Sequence, residues 1–183
     1  MTNARNKNRI TLILIAGAFV VPLALAFLFN AEGWRPAQTR NHGSLIEPAR
    51  DIASVPVSLA DGPGFAWKIP SWPWTLVLLP GPGCADACRV RIDELLRMHI
   101  TLGRNAERVR MLYLGPAPEA DWRATRKTLL VGDTGDAAFD ALRPSAPDTL
   151  ALALVDPNGL LMMQYKPGYV ASDVREDIVR VLH

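Results

Sequence analysis

Residues 10 to 29 run for twenty positions without a charged side chain, from Ile10-Thr11-Leu12 to Phe27-Leu28-Phe29. At 1.5 Å per helical residue the stretch reaches about 30 Å, the thickness of a bilayer's hydrocarbon core. Lipid offers no partners to backbone N–H and C=O groups, so a run like this is read as one transmembrane helix. Arg5, Lys7 and Arg9 crowd the nine positions before it, whereas Arg35, Arg40 and Arg50 are spread thinly after it. The positive-inside rule then puts the N-terminus in the cytoplasm and residues 31 to 183 on the exported side. Ala24-Leu25-Ala26 has the small-residue form of a signal-peptidase site, but Phe27-Leu28-Phe29 follows it where polar residues belong. The apolar run also exceeds a signal h-region, and an uncleaved anchor is expected.

Behind the anchor about 150 residues remain, enough for a single packed core. The formal charge of +2 comes from the N-terminal tail: without Arg5, Lys7 and Arg9 the chain holds 17 basic and 18 acidic residues and no basic cluster. Nucleic acid is therefore not an expected partner. Sixteen arginines against four lysines, with abundant Ala, Gly and Pro, fit a GC-rich bacterial source. In such a cell the expected place is the inner membrane, single-pass, with the domain in the periplasm, where a cysteine pair can be oxidised.

The only two cysteines stand as Cys84-Ala85-Asp86-Ala87-Cys88, directly after the apolar run 74–79 and before an amphipathic helical pattern. If the helix begins near Cys84, side chains at i and i+4 share a face with Cα atoms roughly 6 Å apart, inside the disulfide range of about 4.4 to 6.8 Å. Such a corner aims backbone N–H groups and the positive end of the helix dipole at Cys84, which favours thiolate. A thiolate is what both disulfide exchange and soft-metal binding require. The alternative is a structural disulfide, although a five-residue loop constrains little of the unfolded chain. Asp86 between the cysteines reads as solvated, and a carboxylate there would oppose thiolate formation.

The chain divides into a tail (1–9), the anchor (10–29), a connector (30–64) and a domain (65–183). Prolines 36, 48, 56 and 63 and scattered glycines mark the connector, with room for a short edge strand or hairpin. From Trp74 the pattern is regular: a strand at 74–79, the turn Pro80-Gly81-Pro82-Gly83, and a helix over about 85–102. That helix carries the apolar stripe Cys88, Ile92, Leu95, Leu96, His99 and Leu102. A strand at 109–114, short helices at 119–128 and 136–142 around a small strand at 129–131, and strands at 150–155 and 160–165 follow. Asp156-Pro157-Asn158-Gly159 is the hairpin turn between the last two. Ser172 is the expected cap of a final helix in which Val174, Ile178, Val181 and Leu182 share a face. The order predicts an α/β fold, a mixed sheet flanked by helices, behind one N-terminal transmembrane helix.

Strand, CxxxC, helix, a later Asp-Pro-x-Gly hairpin and a C-terminal helix, all behind one anchor, resemble the thioredoxin-like domain of the Sco/SenC family. These are copper chaperones and thiol reductases of cytochrome c oxidase assembly, and the resemblance covers about residues 65 to 183. Gly33-Trp34-Arg35-Pro36 and Thr39-Arg40-Asn41-His42-Gly43 resemble the segment just outside the membrane in divergent Sco-like proteins. The resemblance implies a thioredoxin-like sheet, copper as a cofactor on Cys84 and Cys88, and as partner an oxidase subunit or another copper or redox assembly factor. It also makes Pro147 the candidate cis-proline facing the cysteine pair.

Three departures qualify it. Ala85 and Arg89 follow the cysteines where the family usually has prolines. The family's third copper ligand is a histidine just before the strand leading into the Asp-Pro-x-Gly turn, and Ser145-Ala146-Pro147-Asp148-Thr149 stands there instead. The remaining histidines are poorly placed: His99 lies eleven residues, about 16 Å of helix, beyond Cys88, His183 is terminal, and His42 is in the connector. His99 reads as the edge of a core face. Met162 and Met163 are soft but fall on alternating faces of one strand, which favours packing. Trp67, Trp72 and Trp74 read as core and edge aromatics.

Three functions follow. In the first, a tethered thiol-disulfide oxidoreductase works on a partner's cysteines, with Cys84 attacking and Cys88 resolving. The alternatives are a Cu(I) chaperone proper and a non-catalytic assembly scaffold.

Overall fold

The structure is a computed structural model that describes residues 2–31 and 40–182. It forms two compact units, Met1–Arg40 and Asn41–His183. The first contains α1 (Thr2–Ala31), with Pro22 inside it. Within α1, the 19-residue span Thr11–Phe29 contains an 18-residue window of mean hydropathy 2.8, and among the described residues it is the one helix long and apolar enough to cross a membrane. Leu12, Ile13, Leu14 and Ile15, four consecutive positions that go round the helix, are all exposed, as are Phe19, Leu23 and Phe27. A helix apolar on all sides needs an apolar surrounding.

The second unit is a seven-stranded mixed sheet. Its strands are β1 (Ser44–Asp51), β2 (Ser58–Leu59), β3 (Trp74–Pro80), β4 (Val109–Leu114), β5 (Leu129–Asp133), β6 (Leu150–Val155) and β7 (Leu160–Tyr165). Their order is β1-β7-β6-β3-β4-β5-β2. β3, β4 and β5 run parallel, while β6 pairs antiparallel with both β3 and β7. The helices are α2 (Asp86–Ile100), α3 (Ala120–Ala124), α4 (Ala137–Asp140) and α5 (Ala171–Val181), with a 3-10 turn at Gly103–Arg108.

Strand periodicity sorts the core into two layers. Leu76 and Leu78 of β3 pack with Cys88, Ile92 and Leu95 of α2 and Val174 and Ile178 of α5. Val77 and Leu79 join Trp67, Phe139, Ile52 and Val57 on the other face. Trp67 stacks on Phe139 at 5.6 Å and meets Phe65 edge-on at 5.0 Å. Its indole N–H donates to the Val55 carbonyl at 2.9 Å, which satisfies the polar end of a buried ring. Trp74 is half-buried and Trp72 is exposed.

Several elements differ from the sequence expectation. The stretch read as a connector supplies strands to both sheet edges, β1 beside β7 and β2 beside β5. β1 carries Pro48 and has almost no buried face, so it lacks the alternation by which a strand is read. The cap of α5 is Val170 and not Ser172, because the Val170 carbonyl already accepts from Asp173 and Val174 N–H groups at 3.1 and 3.2 Å. α3 and α4 are shorter than expected.

One buried acid fastens β1's entry to the last helix. Asp177 Oδ2 accepts the backbone N–H groups of His42 (2.8 Å) and Gly43 (3.0 Å) and the Tyr165 hydroxyl (3.0 Å). Arg180 donates to its other oxygen at 2.8 Å. Burial and the Asp177 charge together push the Tyr165 hydroxyl well above the usual tyrosine range. Asp177→Ala should cost about 3 kcal/mol, since it strands buried donors. Urea unfolding of the detergent-solubilised chain measures it, and a loss within the range of a surface substitution would refute the fastening role.

Candidate functional site

β3 ends at Pro80, and the chain must turn sharply before α2. Gly83 takes a left-handed φ of 61°, a conformation that favours glycine. At Gly81 a side chain would collide with the Ala146 carbonyl oxygen and come within 2.9 Å of the Thr149 hydroxyl. The Gly81 N–H donates to the Thr149 carbonyl at 2.9 Å. Segment 144–149 therefore lies directly against the turn that carries the cysteines.

Cys84 and Cys88 are joined in a disulfide with Cα atoms 5.3 Å apart, within the expected range. Cys84 precedes the helix and is half-buried. Cys88 lies in the first turn of α2, fully buried against the core. The two sulfurs thus differ in access. Cys84 lies on a groove of roughly 800 Å³ that also involves Gly83, Pro116, Trp122 and Arg143. Arg89 at this groove pairs with Glu119 at 2.8 Å, and Arg143 donates to the Leu114 carbonyl at 2.6 Å. Burial raises the Tyr113 hydroxyl above its ordinary value, against the opposing charges of Arg143 and Arg89.

The helix N-terminus does not point its donors at Cys84 as the sequence reading expects. They go to Asp148: Oδ1 accepts from Ala85 N–H at 2.7 Å and Cys88 N–H at 2.9 Å, and Oδ2 from Ala87 N–H at 3.0 Å. The Cys88 bond, followed by those of Ala87 and Ala85, holds the Asp148 carboxyl below the usual carboxylate range against the pull of desolvation. Sequence reasoning passed over this residue. In Ser145-Ala146-Pro147-Asp148-Thr149 an aspartate reads as a local turn former, and only the Pro80–Leu150 register of β3 and β6 brings it to α2.

The expectation for Pro147 is corrected. The Ala146–Pro147 bond is trans, Glu47–Pro48 being the cis peptide among the described residues. The chain turns at Asp148 (φ 53°), whose N–H donates to the Pro82 carbonyl at 3.0 Å. Asp148 rather than the exposed Pro147 is the group this segment presents to the cysteine corner.

The other sequence candidates lie elsewhere. The His99 ring bridges the Ala106 and Val109 carbonyls at 3.0 and 2.8 Å. His42 faces Asp173 and Glu176 of α5 at 3.6 and 3.3 Å. Met163 is buried in the core and Met162 is half-buried beside it. His183, Gly33-Trp34-Arg35-Pro36 and Thr39 lie outside the described residues.

Copper fits this donor set poorly. Reduced Cys84 and Cys88 would offer two soft thiolates, which suit Cu(I). Where the family resemblance puts a histidine, the chain presents a hard carboxylate whose two oxygens are both engaged. Among the described residues no group of three or more His, Cys, Asp or Glu is arranged to hold a metal ion.

The Asp148 contacts carry a defined pH dependence. A carboxyl held below its unfolded value of about 3.9 contributes stability above that value and loses it as the pH falls through the lower folded value. The melting-temperature gap between the native chain and Asp148→Asn should be full near pH 5 and shrink as the pH approaches about 2. A constant gap across that range would overturn the assignment.

Residues 74–183 match the family model described as "Transmembrane-like, thioredoxin-like, C-terminal domain". No curated protein matches the sequence. Among solved structures, apo Sco1 from Thermus thermophilus is similar at 15% identity and TM-score 0.52, over 80% of this chain and 99% of that one. Yeast Sco1 with copper bound is similar at 12% and 0.51, over 79% and 94%. Arabidopsis thaliana ScoI with copper bound is similar at 13% and 0.51, over 76% and 97%. At these identities the likeness is one of fold, a thioredoxin-like sheet of the kind the Sco proteins have. The chain belongs to the family of transmembrane-like, thioredoxin-like C-terminal domains.

Proposed function

We propose that this chain is a membrane-anchored thiol-disulfide exchange protein acting on cysteines of an exported partner, with the copper-site thiols of a cytochrome c oxidase subunit as the client class. The observation that carries the reading is the Cys84–Cys88 disulfide, with one sulfur half-exposed at a groove and the other buried. The resemblance of the CxxxC corner and the Asp-Pro-x-Gly hairpin to the Sco/SenC family supports the oxidase client, and the fold likeness to Sco1 structures is in keeping with it. The basic residues before α1 support a cytoplasmic N-terminus and a periplasmic domain in a bacterial inner membrane.

In the reducing direction, the Cys84 thiolate attacks a client disulfide and expels one client thiolate, which takes a proton. The Cys88 thiolate then attacks Cys84 in the mixed disulfide, releasing the second client thiol and closing Cys84–Cys88. Two electrons pass from the pair to the client. An external dithiol, oxidised in turn, reopens the pair. In reverse, a client thiolate attacks Cys84 because Cys88 is shielded.

Cys88→Ser should trap a mixed disulfide through Cys84 that dithiothreitol releases, and Cys84→Ser should trap none. Oxidase assembly unchanged in the double variant would sink exchange and leave the scaffold reading.

A Cu(I) chaperone is the second reading, favoured by the copper-bound Sco folds and requiring a third ligand from the client. With two thiolates alone, the reduced chain should lose Cu(I) to a competing thiol. Tight one-to-one copper surviving purification would favour the chaperone, with His42, Met162 and Met163 the first ligands to replace.

A further inference from the structure

The start of α2 offers backbone N–H groups, and those of Ala85, Ala87 and Cys88 all go to one side chain 60 to 63 residues away. Asp148 is itself fixed, through its N–H to Pro82 and through the neighbouring Gly81–Thr149 bond at 2.9 Å. Gly81, having no side chain, lets the segment pack this closely, where a Cβ would collide with the Ala146 carbonyl oxygen. The small ring closed by Cys84 and Cys88 therefore lies inside a clamp whose anchoring points, residues 85, 87 and 88, belong to that ring.

We propose that Asp148 is a positioning residue for the cysteine pair: its carboxylate holds the corner in the geometry of the disulfide and biases the pair toward the oxidised form. The inference rests on the exchange reading of the pair. When a dithiol reduces the bond, the Cys84–Cys88 S–S bond breaks, the pair gains two electrons and two protons, and the reductant leaves as a disulfide. None of the three Asp148 hydrogen bonds involves a sulfur, so reduction leaves the clamp in place. The dithiol is then kept near the 5.3 Å Cα separation from which the bond re-forms. Groups preorganised in this way have a high effective concentration toward each other, which favours ring closure. Remove the carboxylate and the reduced corner is free to open, so the disulfide becomes easier to reduce.

The test is a redox titration of the full-length chain in detergent against glutathione, read by mass after thiol alkylation, for the native chain, Asp148→Asn and Asp148→Ala. Asp148→Ala should raise the equilibrium constant for reduction about tenfold, equivalent to about 30 mV for a two-electron couple. Asp148→Asn, which keeps an acceptor oxygen but sets an amide N–H₂ against one donor, should fall between. Melting temperatures of the oxidised and reduced forms close the cycle, because a positioning role requires the variant to destabilise the oxidised form more than the reduced one. Equal losses in both forms with constants within twofold of native, or a shift toward easier oxidation, overturn the proposal. Should Asp148→Ala fail to fold, the Asp148→Asn titration decides alone, an unchanged constant being the negative result. Glutathione replaces the client here, so a chain that exchanges with no protein partner yet shows the shift keeps this inference and loses the exchange reading.

Discussion

Three backbone N–H groups on one carboxylate, those of Ala85, Ala87 and Cys88 on Asp148, join the two halves of the site. A helix start leaves orphan donors that need partners, and here they come from a loop brought in by the β3–β6 pairing. Helix, disulfide and loop are then one unit. Gly81 follows from the same contact, since the loop reaches α2 only by passing where a side chain at 81 would be. Even the access difference between the sulfurs depends on it, because the fixed first turn aims Cys88 into the core with Ile92 and leaves Cys84 toward the groove.

The same device recurs at the Asp177 end of α5. Asp177 collects the His42 and Gly43 N–H groups as Asp148 collects those of the cysteine corner, here across 135 and 134 residues of chain. Charge-assisted bonds to a carboxylate are stronger than neutral ones, and both acids draw on that strength to hold segments with little apolar surface of their own. The exposed ion pairs, Arg123 with Asp61 and Arg89 with Glu119, have no comparable structural role; pairs of that kind contribute little in water.

What the sequence made legible was local. The run 74–79 and the CxxxC before a 3.6-period stripe give β3 and α2 within a residue or two at most boundaries. Asp156-Pro157-Asn158-Gly159 states its own turn, with Asp156 Oδ1 accepting from Asn158 and Leu160 N–H groups and Gly159 at φ 80°. Asp148 was illegible because its role is created by strands paired across the sheet. β1 was illegible for a different reason: an edge strand with both faces toward solvent has no alternation to read. Pro147 drew attention through analogy with a fold, whereas the residue beside it carries the contact.

The residue type in segment 145–149 selects the chemistry open to this corner. An imidazole has at most one free ring lone pair, so it can bind a soft metal but cannot accept three N–H groups. A carboxylate has about four acceptor positions and takes all three without strain. Once both oxygens are engaged by the first turn of α2, the same lone pairs are not available to a metal, and as hard donors they would suit Cu(I) poorly. The aspartate thus exchanges a ligand for a clamp. A clamped pair of thiols needs no third group to cycle between dithiol and disulfide, so the aspartate that suits a closed copper site poorly is compatible with the exchange proposed for the pair.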